Sequence, residues 1–101
     1  MKESVIEKRL RIGVETELGG LCEKFTTGRR GPPDRLCTLP PPVGMQLVEL
    51  KQESGEVEAP QVRDHKRRAK LGVKVHVTWS LEDVEDLLRR WRIAIETHTR
   101  R

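Results

Sequence analysis

Ile6, Leu10, Val14 and Leu18 recur every four residues, with Glu7, Lys8, Arg11, Glu15 and Glu17 between them. That spacing predicts an amphipathic helix over residues 3–18, stopped by Gly19 and Gly20. LCEKFT at 21–26 alternates Leu21, Glu23 and Phe25 against Cys22 and Lys24 and reads as a first strand; TGRRGPP at 27–33 is a loop by its glycines and prolines. A second strand is predicted from Arg35 to Leu39, ended by Pro40, Pro41 and Pro42, and a third, GMQLVELK, at 44–51, ended by the polar turn QESGEVE. These two pair as a hairpin across a proline-stiffened turn. Pro60 suits the first turn of a helix that runs through QVRDHKRRAKL to Gly72. VKVHVTW at 73–79 sets Val73, Val75, Val77 and Trp79 against Lys74, His76 and Thr78, the pattern of a strand with one buried face. Ser80 and Asp83 mark a helix start, and Val84, Leu87, Leu88, Trp91 and Ile95 lie along one side of that last helix. The predicted order is therefore α-β-β-β-α-β-α, without internal repeat or low-complexity linker.

Composition narrows this pattern to a small core. The 101 residues suit a single domain spanning 1–101, with 35% hydrophobic and 36% charged residues, one Phe, two Trp and no Tyr. So little apolar material favours a second copy of the chain as cover, hence a homodimer. Lys and Arg number 20 against 16 Asp and Glu, a net charge of +4, which favours an anionic partner such as nucleic acid. Cys22 and Cys37 make neither a zinc half-site nor a disulfide framework and read as two buried thiols in a reducing compartment. No apolar run approaches the roughly 20 residues that span a bilayer, and KESVIEKRL after Met1 lacks the apolar centre of a signal peptide. The expected location is the cytoplasm, that of the host cell if the protein is viral, with no membrane partner.

The hairpin carries the chemistry. Side chains alternate along a strand, so Glu49 and Lys51 share a face that Leu50 avoids. Antiparallel pairing brings Asp34, at the start of the second strand, beside Glu49 and Lys51 at the end of the third. Two carboxylates with oxygen-only donors suit a hard divalent cation, and Mg²⁺ uses one or two carboxylates plus waters and phosphate oxygens. Such an ion neutralises phosphate charge and acidifies water, while a lysine beside it stabilises charge on the transferring phosphate. The plainer alternative is a cross-strand ion pair at the end of a sheet.

ESVIEKRL, GGLCEKF, GRRGPPDRL, VELK, PQVRDHKRRAKLG and SLEDVEDLL together resemble a stand-alone VRR-NUC (virus-type replication-repair nuclease) domain of the PD-(D/E)xK superfamily, over nearly the whole chain. The resemblance implies an α/β, restriction-endonuclease-like core, a small mixed sheet flanked by helices. It also implies a Mg²⁺-dependent DNA endonuclease, with Mn²⁺ as a substitute ion, acting as a homodimer on branched DNA such as Holliday junctions, without a small-molecule cofactor. By the same resemblance Asp34 and Glu49 are metal-binding acids, joined by the Leu50 main-chain carbonyl. Lys51 is the catalytic lysine, and Gln61 matches the glutamine of the following helix. Glu7, with Glu3 one turn away as its rival, completes the metal site. Pro32 and the 40–42 triple proline depart from the family's usual small residue and flexible turn.

Arg63, Lys66, Arg67 and Lys70 on the second helix are expected to track phosphates, and Arg29, Arg30 and Arg35 to contact the strand being cut. His65, His76 and His98 with the two cysteines fit no compact zinc pattern, so His65 is expected to pack or hydrogen-bond locally. Trp91 falls in register with the apolar side of the last helix and is expected in a core or dimer interface. Two readings compete with the enzyme: a DNA-binding module without catalysis, and a protein-interaction subunit of a recombination or replication complex.

Overall fold

The computed structural model describes residues 3–51 and 56–100; most of the expected polar turn after the third strand lies outside them. Ser4 starts the first helix, α1 (Val5–Ile12), its hydroxyl accepting the Glu7 backbone N–H at 3.0 Å. From Gly13 to Glu17 the rod continues as π-helix, a change that the apolar spacing does not announce. Gly13 is buried, and an added Cβ there would overlap the Leu88 side chain. The strands are β1 (Leu21–Lys24), two residues shorter than expected, β2 (Arg35–Leu39) and β3 (Gly44–Leu50), then α2 (Ala59–Lys70), β4 (Val75–Thr78) and α3 (Leu81–Thr99). The element order is the one read from the sequence.

The sheet order is β1-β2-β3-β4, with the first three strands antiparallel and β4 parallel to β3. A parallel neighbour requires a crossover, and α2 supplies it, so this mixed sheet has helices on both sides. On one face Cys22, Cys37, Leu39 and Val48 close on Leu10 and Val14 of the first helical segment and on Val84, Leu87, Leu88 and Trp91 of α3. Cys22 and Cys37 are directly opposed across β1 and β2, buried, with free thiols 3.8 Å apart. The other face, bearing Leu47, Glu49, Val75 and Val77, lies under α2.

β4 departs from the expectation of one buried face. His76 and Thr78 point into the α3 layer: the His76 ring stands edge-on to Trp91 at 5.9 Å and its Nε2 meets the Gln46 side-chain oxygen at 2.8 Å. Burial, then the charges of Lys74 and Arg90, pushes this imidazole down to about 4, so it is neutral at physiological pH. His76 is half-buried and Thr78 buried, its hydroxyl donating to the Glu49 carbonyl at 3.3 Å. Strands in parallel pairs are commonly covered on both faces, and alternation alone does not reveal it. At the start of α3 Ser80 accepts the Asp83 N–H at 3.2 Å, while the Asp83 carboxylate reaches one residue further back to the Trp79 N–H at 2.7 Å. No helix among the described residues is long and apolar enough to cross a membrane.

Candidate active site

The site is built where β2 begins and β3 ends. Pro33 is fully buried and fixes the approach to Asp34, whose carbonyl accepts the Phe25 N–H at 3.0 Å. Register then decides the rest: Arg35 faces Val48, so Asp34 falls one step on, beside Glu49 and Leu50. The Leu50 backbone N–H donates to Asp34 Oδ2 at 2.7 Å, tying the carboxylate to the neighbouring strand. Lys51 is held in line because its own N–H reaches the Thr78 carbonyl at 2.8 Å, extending the β3–β4 pairing past Leu50.

Glu49 is 1% exposed, an exceptional place for a carboxyl group. Gln61, one turn into α2, donates from Nε2 to Glu49 Oε2 at 2.9 Å, while its own oxygen accepts the Glu58 N–H at 3.1 Å. Both ends of the amide are thereby assigned. The Lys51 ammonium stands 3.6 Å from the same Oε2. Burial first, then the Asp34 carboxylate, pushes the Glu49 carboxyl up to about 8 against the opposing effect of Lys51. Without a cation this end of the sheet therefore favours a protonated Glu49.

The other carboxylate oxygen reveals a residue whose place the sequence reading missed. Glu49 Oε1 and His65 Nε2 are both buried without a hydrogen-bond partner among the described residues, and they face each other at 3.9 Å. His65 is packed, as expected, but its Nε2 points at the acid and makes no local hydrogen bond among the described residues. Its imidazole is pushed down, chiefly by burial. The signal was available, because Gln61 and His65 are four residues apart on one helix and so share a side.

Glu7 lines a cavity of about 250 Å³ together with Ser4, Ile6, Asp34, Leu50 and Lys51. The same Glu7 accepts from Arg35 at 3.0 Å, and Glu3 accepts from Arg35 at 3.3 Å and from Arg11 at 2.9 Å. Glu7 thus borders the cavity holding Asp34, and Glu3 is occupied by two arginines. Arg35 itself corrects an expectation. It is 5% exposed and bonded to both glutamates and, at 3.4 Å, to the Cys22 carbonyl, so it braces α1 against the sheet and presents nothing to a DNA strand. Arg35, Cys37 and Leu39 share one face of β2, which is the buried one.

No group of three or more His, Cys, Asp and Glu able to hold a metal gathers among the described residues. Asp34 and Leu50 line the cavity and the Glu49 carboxyl lies buried beside Asp34, a donor set that fits Mg²⁺, which keeps several waters and needs only one or two carboxylates. The buried, unpartnered Glu49 Oε1 is consistent with that use. Closed zinc-type coordination does not fit.

The basic residues separate into groups. Arg29, Arg30, Arg63 and Arg67 surround a second cavity, of about 170 Å³, with Pro60 and Asp64. Lys66 borders another hollow on the far side of α2 near Val73, and Lys70 is exposed at the helix end. Arg68 is bound to Asp64 at 2.7 Å and lies over the Phe25 ring, 5.4 Å from its centroid, as a structural cation.

Comparison with known proteins adds two likenesses. The chain is 38% identical over 90 residues to "Putative nuclease p44" of Acyrthosiphon pisum secondary endosymbiont phage 1, covering 87% of this chain and 92% of that one. It also superposes with a TM-score of 0.70 on a solved structure described as a VRR_NUC domain, at 33% identity, covering 87% of this chain and 99% of the other. No family model matches.

Proposed function

The chain belongs to the VRR-NUC family, and we propose that it is a metal-dependent endonuclease that hydrolyses DNA phosphodiester bonds, preferring branched substrates such as four-way junctions. One observation carries this reading: a carboxylate is buried under α2, with a second carboxylate and an ammonium beside it, at the edge of an open cavity. Burying a carboxyl group with an unpartnered oxygen is costly, and a purely structural ion pair gains nothing from that arrangement.

Asp34 and Glu49, with the Leu50 carbonyl, would hold Mg²⁺ or Mn²⁺. When bound, the ion supplies charge neutralisation at the phosphate and makes water more acidic. Gln61 keeps Glu49 Oε2 oriented, and α2 excludes solvent from behind it. Lys51 places a positive charge where the phosphoryl group gains negative charge during hydrolysis. Glu7, already committed to Arg35, fixes α1 as one wall of the cavity. A two-fold dimer would set two such sites across a junction and so account for paired cuts. The proposed place of action is the cytoplasm.

The deciding experiment is cleavage of a labelled four-way junction beside linear duplex, in Mg²⁺, Mn²⁺ or EDTA, by wild type, Asp34→Ala and Lys51→Ala. Metal-dependent, junction-selective cutting lost in both variants supports the nuclease and its substrate. If all three bind the junction alike and none cuts, the DNA-binding module without catalysis replaces this reading.

A further inference from the structure

We infer that Arg29, Arg30, Arg63 and Arg67 form a phosphate cradle, distinct from the proposed metal-binding acids, that takes backbone phosphates of the nucleic-acid strand; the identity of the ligand rests on the nuclease reading above.

The first argument is charge. Elsewhere in the described residues Arg9, Arg11, Arg35, Arg68, Arg89, Arg90 and Arg92 pair with carboxylates, and of the described arginines outside this cavity Arg100, at the end of α3, does not. The four around this cavity make no such pair among the described residues, although the chain has 16 acids to offer. The carboxylate that does line the cavity, Asp64, is bound twice by Arg68, at 2.7 and 3.3 Å. Its two oxygens are both engaged by Arg68 and make no hydrogen bond to the four. Guanidinium groups lining one space repel one another until an anion enters, and their planar donors match phosphate oxygens in pairs.

The second argument is backbone geometry. Arg63 and Arg67 are four apart on α2 and therefore adjacent, whereas Arg29 and Arg30 come from the loop before Asp34 and must be brought to them. Gly31 does this. Its φ of +86° is open chiefly to glycine, and an added Cβ would overlap the Pro60 carbonyl at the first turn of α2. The loop is thus seated on the helix by backbone contact, and the two arginines arrive with it. Because the same loop leads directly into Pro33 and Asp34, and the same helix carries Gln61 and His65, a strand held by the cradle lies along the elements that build the cleavage site.

The test uses full-length, metal-free protein in EDTA, so that binding is read without cutting, with fluorescence anisotropy of labelled DNA at several salt concentrations. Arg29→Ala/Arg30→Ala is expected to weaken binding by about tenfold or more and to flatten the dependence of log affinity on log salt by roughly one to two units. Gly31→Ala retains every arginine and is expected to weaken binding in the same direction, because it unseats the loop. Arg89→Ala/Arg90→Ala removes equal charge from α3 and is expected to leave binding unchanged. Equal affinities and slopes for wild type and both cradle variants would overturn the cradle while leaving the cleavage assay free to support the nuclease. Failure of wild-type protein to bind DNA at any salt would overturn the cradle's ligand and the nuclease's substrate together.

Discussion

On the face of the sheet turned to α1 and α3, Cys22, Cys37, Leu39 and Val48 meet Leu10, Val14, Val84, Leu87, Leu88 and Trp91, and the one buried charged group there, Arg35, is paired with Glu3 and Glu7. On the face turned to α2 the most buried strand residue is Glu49, at 1%, flanked by Leu47 at 7% and Val75 at 9%. One face is an ordinary apolar core. The other uses burial to alter a carboxyl group, and its covering helix faces solvent with arginine and lysine. A chain with 35% hydrophobic residues has little apolar material for two complete cores, so the two faces divide stability and chemistry between them. Mutations should therefore separate the faces.

The largest separation is expected in activity. Asp34→Ala, Glu49→Gln and Lys51→Ala should each lower metal-dependent cleavage by about a thousandfold or more while the protein stays folded, with unfolding midpoints within a few degrees of wild type, because each removes a group from the α2-side site and none from the apolar core. A midpoint that collapsed in all three would make the site structural. Next in size is the reverse case. Leu88→Ala, in the apolar core, should cost about 2–5 kcal/mol in urea unfolding, while the cleavage rate per folded molecule stays near wild type. Gly13→Ala, pressed against the same Leu88, should cost about 1–3 kcal/mol by overpacking. Loss of intrinsic rate beyond the unfolded fraction would show the faces to be coupled.

How far this division is visible in the sequence depends on how local its causes are. The element order follows from periodicity and from glycine and proline, and the meeting of Asp34 with Glu49 and Lys51 follows from pairing one hairpin in antiparallel register. Gln61 and His65 show on one side of a helix by spacing, yet only the tertiary fold reveals that this side covers Glu49 rather than solvent. Arg35 was misread because its charge suggested a DNA contact, although its alternation with Cys37 and Leu39 already placed it inward. The half-burial of His76 and the burial of Thr78 are out of reach of local pattern: they depend on α2 carrying β4 back beside β3, between two helical layers. The π-helical turn at Gly13 has no periodic signature either.

A smaller effect should follow at the helix that covers the acid. His65→Leu removes the imidazole facing Glu49 Oε1 and should weaken Mn²⁺ binding, measured by calorimetry, by about 10–100-fold, as losses behind a metal ligand commonly do. His65→Gln, which restores an N–H donor, should recover much of it. If Leu and Gln bind the ion equally, His65 only fills space.

The smallest expected effect is also the one that isolates Glu49 from everything else on its face. Its folded pKa of about 8 lies above the ordinary 4.5, so the protonated side chain favours the fold. That contribution is fully present below about 4.5 and is lost as pH rises through 8. The two lowered histidines work in the opposite sense, since their neutral forms favour the fold, but their unfolded value of 6.5 confines that effect to lower pH. In EDTA, then, between pH 7 and 9, wild-type protein should lose a few degrees of thermal midpoint relative to Glu49→Gln, read by near-ultraviolet circular dichroism. Saturating Mn²⁺ should abolish or reverse the difference, because a cation stabilises the charged carboxylate that water cannot reach. Parallel curves in EDTA would mean that Glu49 ionises as an ordinary surface acid and that α2 does not alter its chemistry.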